Sequence, residues 1–463
     1  MNGYNILFIM TDQLRLDALG KTGGWVKTPH IDALAAEGML FTNCITNSPV
    51  CIPARVSLAT GLYPHNTGVW KNIEYDLPAD SSTWMQTIRD AGYRTGLIGK
   101  THLHRHIGDL REREHLMHTY GFDHVDEIGG PRASMWVGSH MTDEWSKAGV
   151  LDAYIQEYND RFTTKPYVAR PSVLPLSLYA DVYVGTKAQA FISSYKDDKP
   201  WFCMVSFGGP HEPWDAPEPY ASMYEPEQMP KPIPRPSVDS TRPIGHLDEL
   251  MNENRHSPVL EEQDIAAMRA NYAGNVTLID EQIGQILQVL KEKNELDKTV
   301  IVFTADHGEM NGDYGLLYKE NFLNAAVKVP LIIWTPELKS SEHAGAVYDG
   351  MVELFDIGPS MCELAGTQLA HRHFAKSLSP VLEDPRTVHR EEAISEIHGE
   401  VMLQNREWKL VLNAQGTPYL LFHLTEDPNE QRNLVGEPAY GEVVQKLKDT
   451  IFARLMSSLV YKN

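Results

Sequence analysis

Asn5-Ile6-Leu7-Phe8-Ile9-Met10-Thr11-Asp12-Gln13 is the stretch that decides the fold. Residues 5–10 form an apolar run of β-formers, as expected for a strand buried on both faces, and it stops at Thr11-Asp12-Gln13. A polar group at the carboxyl end of a parallel strand is where open α/β sheets hold ligands. Outward from this strand, Thr28–Gly38 reads as a capped helix closed by glycine, followed by a strand over Leu40–Asn43. A helix is predicted over about 82–91, and Tyr93–His102 reads as a strand running into a site loop. Further strands follow at Trp201–Phe207, Thr299–Thr304 and Val329–Trp334, with a helix at about 262–293 before the last two. This is an α/β pattern around a largely parallel sheet.

Two long connections interrupt it. Residues 104–180 are rich in His, Arg and Gly, and residues 209–258 carry Pro210, Pro213, Pro217, Pro219, Pro230, Pro232, Pro234 and Pro236, which reads as irregular chain. Both are assigned to substrate recognition at the edge of a site. After Asp356–Gly366 the character changes to short antiparallel strands at 401–403, 408–412 and 419–424, then a helix over about 439–457. The predicted fold class is α/β, a large mostly parallel mixed sheet sandwiched by helices, with a small C-terminal subdomain of antiparallel sheet plus helix. The expected division is 1–375 and 376–463.

The net charge of −21 over 463 residues gives no electrostatic case for nucleic acid or an acidic membrane as partner. No apolar run is long enough to cross a bilayer. The opening Met1-Asn2-Gly3-Tyr4 does not read as a signal peptide, and Cys44, Cys51, Cys203 and Cys362 show no close pair spacing, so the expected compartment is the cytoplasm.

The chemistry concentrates in Ser48-Pro49-Val50-Cys51-Ile52-Pro53-Ala54-Arg55-Val56-Ser57-Leu58-Ala59-Thr60-Gly61. Pro53 suits the first turn of a helix, which puts Cys51 near the helix N-terminus, where amides and Arg55 favour negative charge. Alone, Cys51 reads first as a small buried residue capping a helix. Asp12 and Asp306-His307 follow two strands of one predicted sheet and can converge on a hard divalent cation. Lys100-Thr101-His102 places two polar heads on one side of an extended segment, and His211 follows the strand at 201–207. His104 and His106 continue the alternation begun by His102. They are assigned to the surface or the substrate loop, with a three-histidine zinc site as the alternative. Trp136, Trp145 and Trp214 are either stacking surfaces or packing residues.

Cys-x-Pro-x-Arg…Thr-Gly resembles the signature of the type I sulfatases of the alkaline-phosphatase-like superfamily, and residues 422–434 resemble that family's C-terminal pattern. The resemblance implies that Cys51 is oxidised to formylglycine by a formylglycine-generating enzyme, and that its hydrated aldehyde is the nucleophile. Asp12, Gln13, Asp306 and His307, with residue 51, are then the metal set, holding calcium first, with manganese or magnesium as alternatives. Gln13 departs from the second aspartate of many members, and this leaves the metal's identity open. Arg55, Lys100 and Lys319 are implied to stabilise transition-state charge, His211 to protonate the leaving alcohol, and His102 to hold the second hydroxyl of the nucleophile. The implied substrate is a small-molecule or saccharide sulfate ester. Phosphonate monoester or phosphodiester hydrolysis on the same scaffold is the alternative, a non-catalytic anion-binding relative is a more distant one, and a homo-oligomer stays open.

Overall fold

The computed structural model describes residues 3–164, 167–236 and 242–459, so Met1-Asn2 and parts of both long connections (165–166 and 237–241) lie outside the described residues. The main sheet is built from β1 (Asn5–Thr11), β2 (Met39–Ile45), β3 (Arg94–Gly99), β4 (His124–Glu127), β5 (Trp201–Ser206), β6 (Thr299–Ala305), β7 (Lys328–Trp334), β8 (Ala346–Tyr348) and β9 (Val352–Glu353). Its order is β4-β3-β5-β1-β6-β7-β2-β8, with β9 also on β2. Among these strands only β7 runs against its neighbours. The carboxyl ends of β1, β3, β4, β5 and β6 therefore share one edge, with Gly99 level with both Ser206 and Glu127, and Thr11 level with Ala305.

β1 lies at the centre between β5 and β6, and Ile6–Met10 are fully buried, as its apolar run requires. Two mutually packed helix groups sandwich the sheet. One consists of α1 (Pro29–Glu37), Ala180–Ser194 and the 31-residue helix Glu262–Glu292, the other of α2 (Cys51–Thr60), Trp84–Asp90 and Ile357–Leu364. The cap of α1 is not the expected Thr28 side chain. Asp280 of the long helix accepts the His30 and Ile31 N–H groups instead, a tertiary contact substituting for a local one.

The C-terminal sheet has four antiparallel strands, β10 (Ala393–Ile397), β11 (Glu400–Gln404), β12 (Trp408–Leu412) and β13 (Pro418–His423), with the helix Gly441–Ser457 packed on it. β10 was not among the predicted strands. Among its described residues the connection 209–258, expected to be irregular, contains the short 3-10 turns Tyr220–Ser222 and Pro226–Gln228 and an α-helix, His246–Asn252, in its proline-free part. All four cysteines are buried and unpaired, and no helix among the described residues is long and apolar enough to cross a membrane.

Candidate active site

At the shared edge, Asp12 leaves β1, Lys100 leaves β3 and Asp306 leaves β6, while Cys51 opens α2. Val50 precedes the helix in an extended conformation, which sets Cys51 at the positive end of the α2 dipole, while the Ile52 N–H is taken by Asn72 Oδ1. The Cys51 Sγ lies 3.0 Å from His307 Nε2 and 3.7 Å from Asp12 Oδ1. His307 Nδ1 donates to the Gly308 carbonyl at 3.0 Å, which aims Nε2 at the cluster. That nitrogen is 3.8 Å from Asp12 Oδ1 and 3.6 Å from Asp306 Oδ1. Two carboxylate oxygens and an imidazole nitrogen thus converge beside residue 51, a donor set that fits a divalent cation.

The outer oxygens of these carboxylates are held by buried cations. Arg55 donates through Nε to Asp306 Oδ2 at 2.7 Å and through Nη2 to Asp12 Oδ2 at 3.0 Å. Its Nη1 is used on the Lys100 carbonyl and Ser206 Oγ. Lys100 Nζ donates to Asp12 Oδ2 at 2.6 Å. Burial raises the pKa of Asp12, but Lys100, His211, Arg55 and His307 together hold it well below the ordinary carboxylate range. Arg55 does not line the cleft above Cys51. The expected direct role on the transferring group is not what this geometry favours, because four of the five guanidinium N–H groups are already taken below the site and Arg55 is absent from the cleft lining. It fixes the two carboxylates.

Lys100, His102, His211 and Lys319 line a cleft of about 500 Å³ with Cys51 at its base. Burial and Asp12 would raise the Cys51 thiol, but Lys319, His307 and Lys100 outweigh them and lower it to about 6. The converse acts on His307, where Asp306 and Cys51 overcome burial and raise it to about 9. His211 Nδ1 donates to the Glu212 carbonyl at 2.7 Å, leaving Nε2 for the cleft. His102 has positive φ, and burial, with Lys100 and His106, drives its pKa well below the ordinary value, so its ring is neutral. The Gln13 side chain is directed away from the expected metal set. Its Oε1 accepts from Lys319 Nζ, and its Nε2 donates to Glu212 and Glu309.

His104 and His106 also line the cleft, but the surface expectation is corrected for both. His104 is 2% exposed and ion-paired with Glu127, and the His106 side chain is 6% exposed. Of the three tryptophans, Trp136 lines the cleft and is 53% exposed, whereas Trp145 is core and Trp214 is buried in a stack on Tyr318. The sequence reading missed Glu127, Glu212 and Glu309, all buried at this edge. Glu212 lies next to His211 and Glu309 two residues after His307, and that adjacency was the available signal.

Among known proteins, residues 4–367 match the family described as Sulfatase, and residues 312–456 match N-sulphoglucosamine sulphohydrolase, C-terminal. The chain is 26% identical to an arylsulfatase of Clostridium perfringens, covering 97% of this chain and 94% of the relative. It is 28% identical to the multifunctional alkaline phosphatase superfamily protein PehA of Trinickia caryophylli, covering 96% and 94%. A solved phosphonate monoester hydrolase of Agrobacterium radiobacter aligns with a TM-score of 0.80 at 26% identity, covering 98% of this chain and 96% of that one.

Proposed function

The chain belongs to the sulfatase family of enzymes, with its alkaline-phosphatase-like fold, and on that premise we propose that it hydrolyses a sulfate monoester of an aryl or carbohydrate alcohol at Cys51. The observation that carries this reading is the placement of Lys100, Lys319 and His211 around one buried cysteine, itself set against two carboxylates and a histidine. Here Sγ stands where a formylglycine would carry its oxygens. Oxidation of Cys51 would supply a hydroxyl nucleophile, and a divalent cation would lower that hydroxyl's pKa. Asp12, Asp306 and His307 would hold the cation. Their imidazole donor moves the preference from calcium, which favours an all-oxygen set, toward manganese.

The chain's own residues account for the rest. Lys100 and Lys319 place fixed positive charge where the transferring group gathers negative charge. Arg55 keeps both carboxylates in register without touching substrate. His211 presents Nε2 to the leaving oxygen and gives it a proton. His102, kept neutral, takes the proton whose loss from the second hydroxyl expels sulfate. Aromatic contact from Trp136 suits either an aryl ring or a sugar face.

Phosphonate monoester hydrolysis is the second reading, favoured by Gln13, by the Asp306-His307 pair and by the likeness to a phosphonate monoester hydrolase. Rates on an aryl sulfate and on phenyl phosphonate, each against a Cys51→Ala control, decide between them. A preference for the sulfate is expected. A strong preference for the phosphonate would replace the first reading. Mass spectrometry of the Cys51 peptide from the native host should find formylglycine.

A further inference from the structure

Beside the nucleophile cluster, the same sheet edge carries a second group of ligating side chains that the reaction above does not use. Glu127 ends β4 level with Gly99, the last residue of β3, and His104 and His106 return over it from the loop that follows Lys100. The His104 Nε2 is 2.7 Å from Glu127 Oε2, and the His106 Nε2 is 3.5 Å from Glu127 Oε1. The three ligand atoms, one from each residue, lie within 4.8 Å of one another.

Proton counting shows why this is more than an ion pair. His104 Nδ1 faces the Arg105 carbonyl at 3.0 Å, so that nitrogen carries a hydrogen and donates. A neutral His104 would then turn a lone pair toward a carboxylate, an arrangement that needs a positive charge between the two. An extra proton on His104 would answer that contact alone. It leaves His106 poorly explained, because its side chain is buried, its Nδ1 has no partner, and its Nε2 reaches Glu127 only at 3.5 Å, longer than an ordinary hydrogen bond. One cation between the three heads satisfies both. The surroundings are those of metal ligands, since the Arg105 carbonyl fixes the His104 tautomer and Thr101 Oγ1 donates to Glu127.

We propose that His104, His106 and Glu127 form a second metal site, for zinc. Two imidazoles and a carboxylate are a zinc donor set, and three protein ligands leave a fourth tetrahedral position. His104 and His106 line the cleft, so that position is open to water or to an oxygen of the substrate's alcohol portion. Zinc would replace any second proton on His104, which returns to solvent.

The test uses the full-length chain, stripped of metal and titrated with zinc against a chromophoric competitor, with cobalt(II) as a spectroscopic stand-in. Unmodified protein should take two equivalents. One sits at Cys51 and gives cobalt an intense thiolate charge-transfer band; the other gives only visible d–d bands. Cys51→Ala should abolish the charge-transfer band and keep the second equivalent. His106→Ala should weaken the second equivalent by at least about a hundredfold and keep the first. Removing His106 costs only its long 3.5 Å contact with Glu127, and Glu127→Gln, which keeps the side-chain shape, is the companion variant. A single equivalent that is lost in Cys51→Ala and indifferent to both other substitutions overturns the proposal.

Discussion

The floor and the wall of the cleft are built by different means. The floor, Asp12, Cys51, Arg55, Lys100, Asp306 and His307, is taken from strand ends and one helix start, is almost wholly buried, and has nearly every polar direction committed to another member. Much of the wall is taken from the two long connections, with Asn72–Glu74 and Tyr318–Glu320 completing it. In the connections Trp136, Arg132 and Arg255 are exposed, with Arg255 resting over the Tyr318 ring. Rigid elements hold the charges that must not move, and loops hold the groups that meet a variable alcohol. Substitutions in the floor should therefore cost turnover or stability, and those in the wall should change which substrate is preferred.

The largest effect belongs to the nucleophile. Cys51→Ala should lower kcat on the order of 10⁴-fold or more, with the melting temperature changed much less than by loss of Arg55, because the Arg55 and Lys100 bonds to Asp12 and Asp306 stay. A variant retaining a tenth of the activity would detach the chemistry from the floor altogether.

Arg55 comes next and acts on stability. Arg55→Met leaves two buried carboxylates without their shared partner, and breaking a buried pair costs about 3–5 kcal/mol. The unfolding midpoint in urea should fall accordingly, and activity with it. Unchanged stability with reduced kcat would move Arg55 from positioning the carboxylates to acting on substrate.

Lys319→Ala should reduce kcat by about 10²–10³-fold. The same residue can be read without turnover, in unmodified and metal-free protein. Lys319, His307 and Lys100 lower the Cys51 thiol to about 6, so it is mostly thiolate at neutral pH and its alkylation rate should level off just above pH 6. Cys362, raised to about 12 by burial with no cation beside it, is the internal contrast and should stay inert. In Lys319→Ala the Cys51 inflection should move upward. An inflection that stays near 6 would leave His307 and Lys100 as sufficient.

These contrasts mark what the sequence disclosed. Asp12, Cys51 and Asp306 were legible because each directly follows or opens an element whose apolar pattern is local. The function of Arg55 was not, since its partners lie 43 and 251 residues away and only the sheet brings them to one guanidinium. Glu127 escaped because β4 is the four-residue polar stretch His-Val-Asp-Glu, without the apolar run that announced β1. β10 escaped for a related reason. Its Ser395 and Glu396 look like solvent-facing residues, yet both are buried, and Glu396 pairs with His65 at 2.7 Å. Gln13 was read from the resemblance as a departure from an aspartate, and the direction of its amide depends on Lys319, Glu212 and Glu309, which arrive from other elements.

The smallest expected effect is the one that tests the wall. Trp136 is half exposed, and its Nε1 donates only to the His106 carbonyl at 3.1 Å, so Trp136→Ala should leave the melting temperature within a degree or two. An aromatic face stacked on substrate contributes about 1 kcal/mol, so KM for an aryl or saccharide sulfate should rise several-fold while kcat holds. A small aliphatic sulfate, which offers no face to stack, should show no change. If Trp136→Ala instead lowered kcat equally on both substrates, the wall would be shaping the transition state through the 101–107 loop that carries His102, and the division between floor and wall would have to be redrawn there.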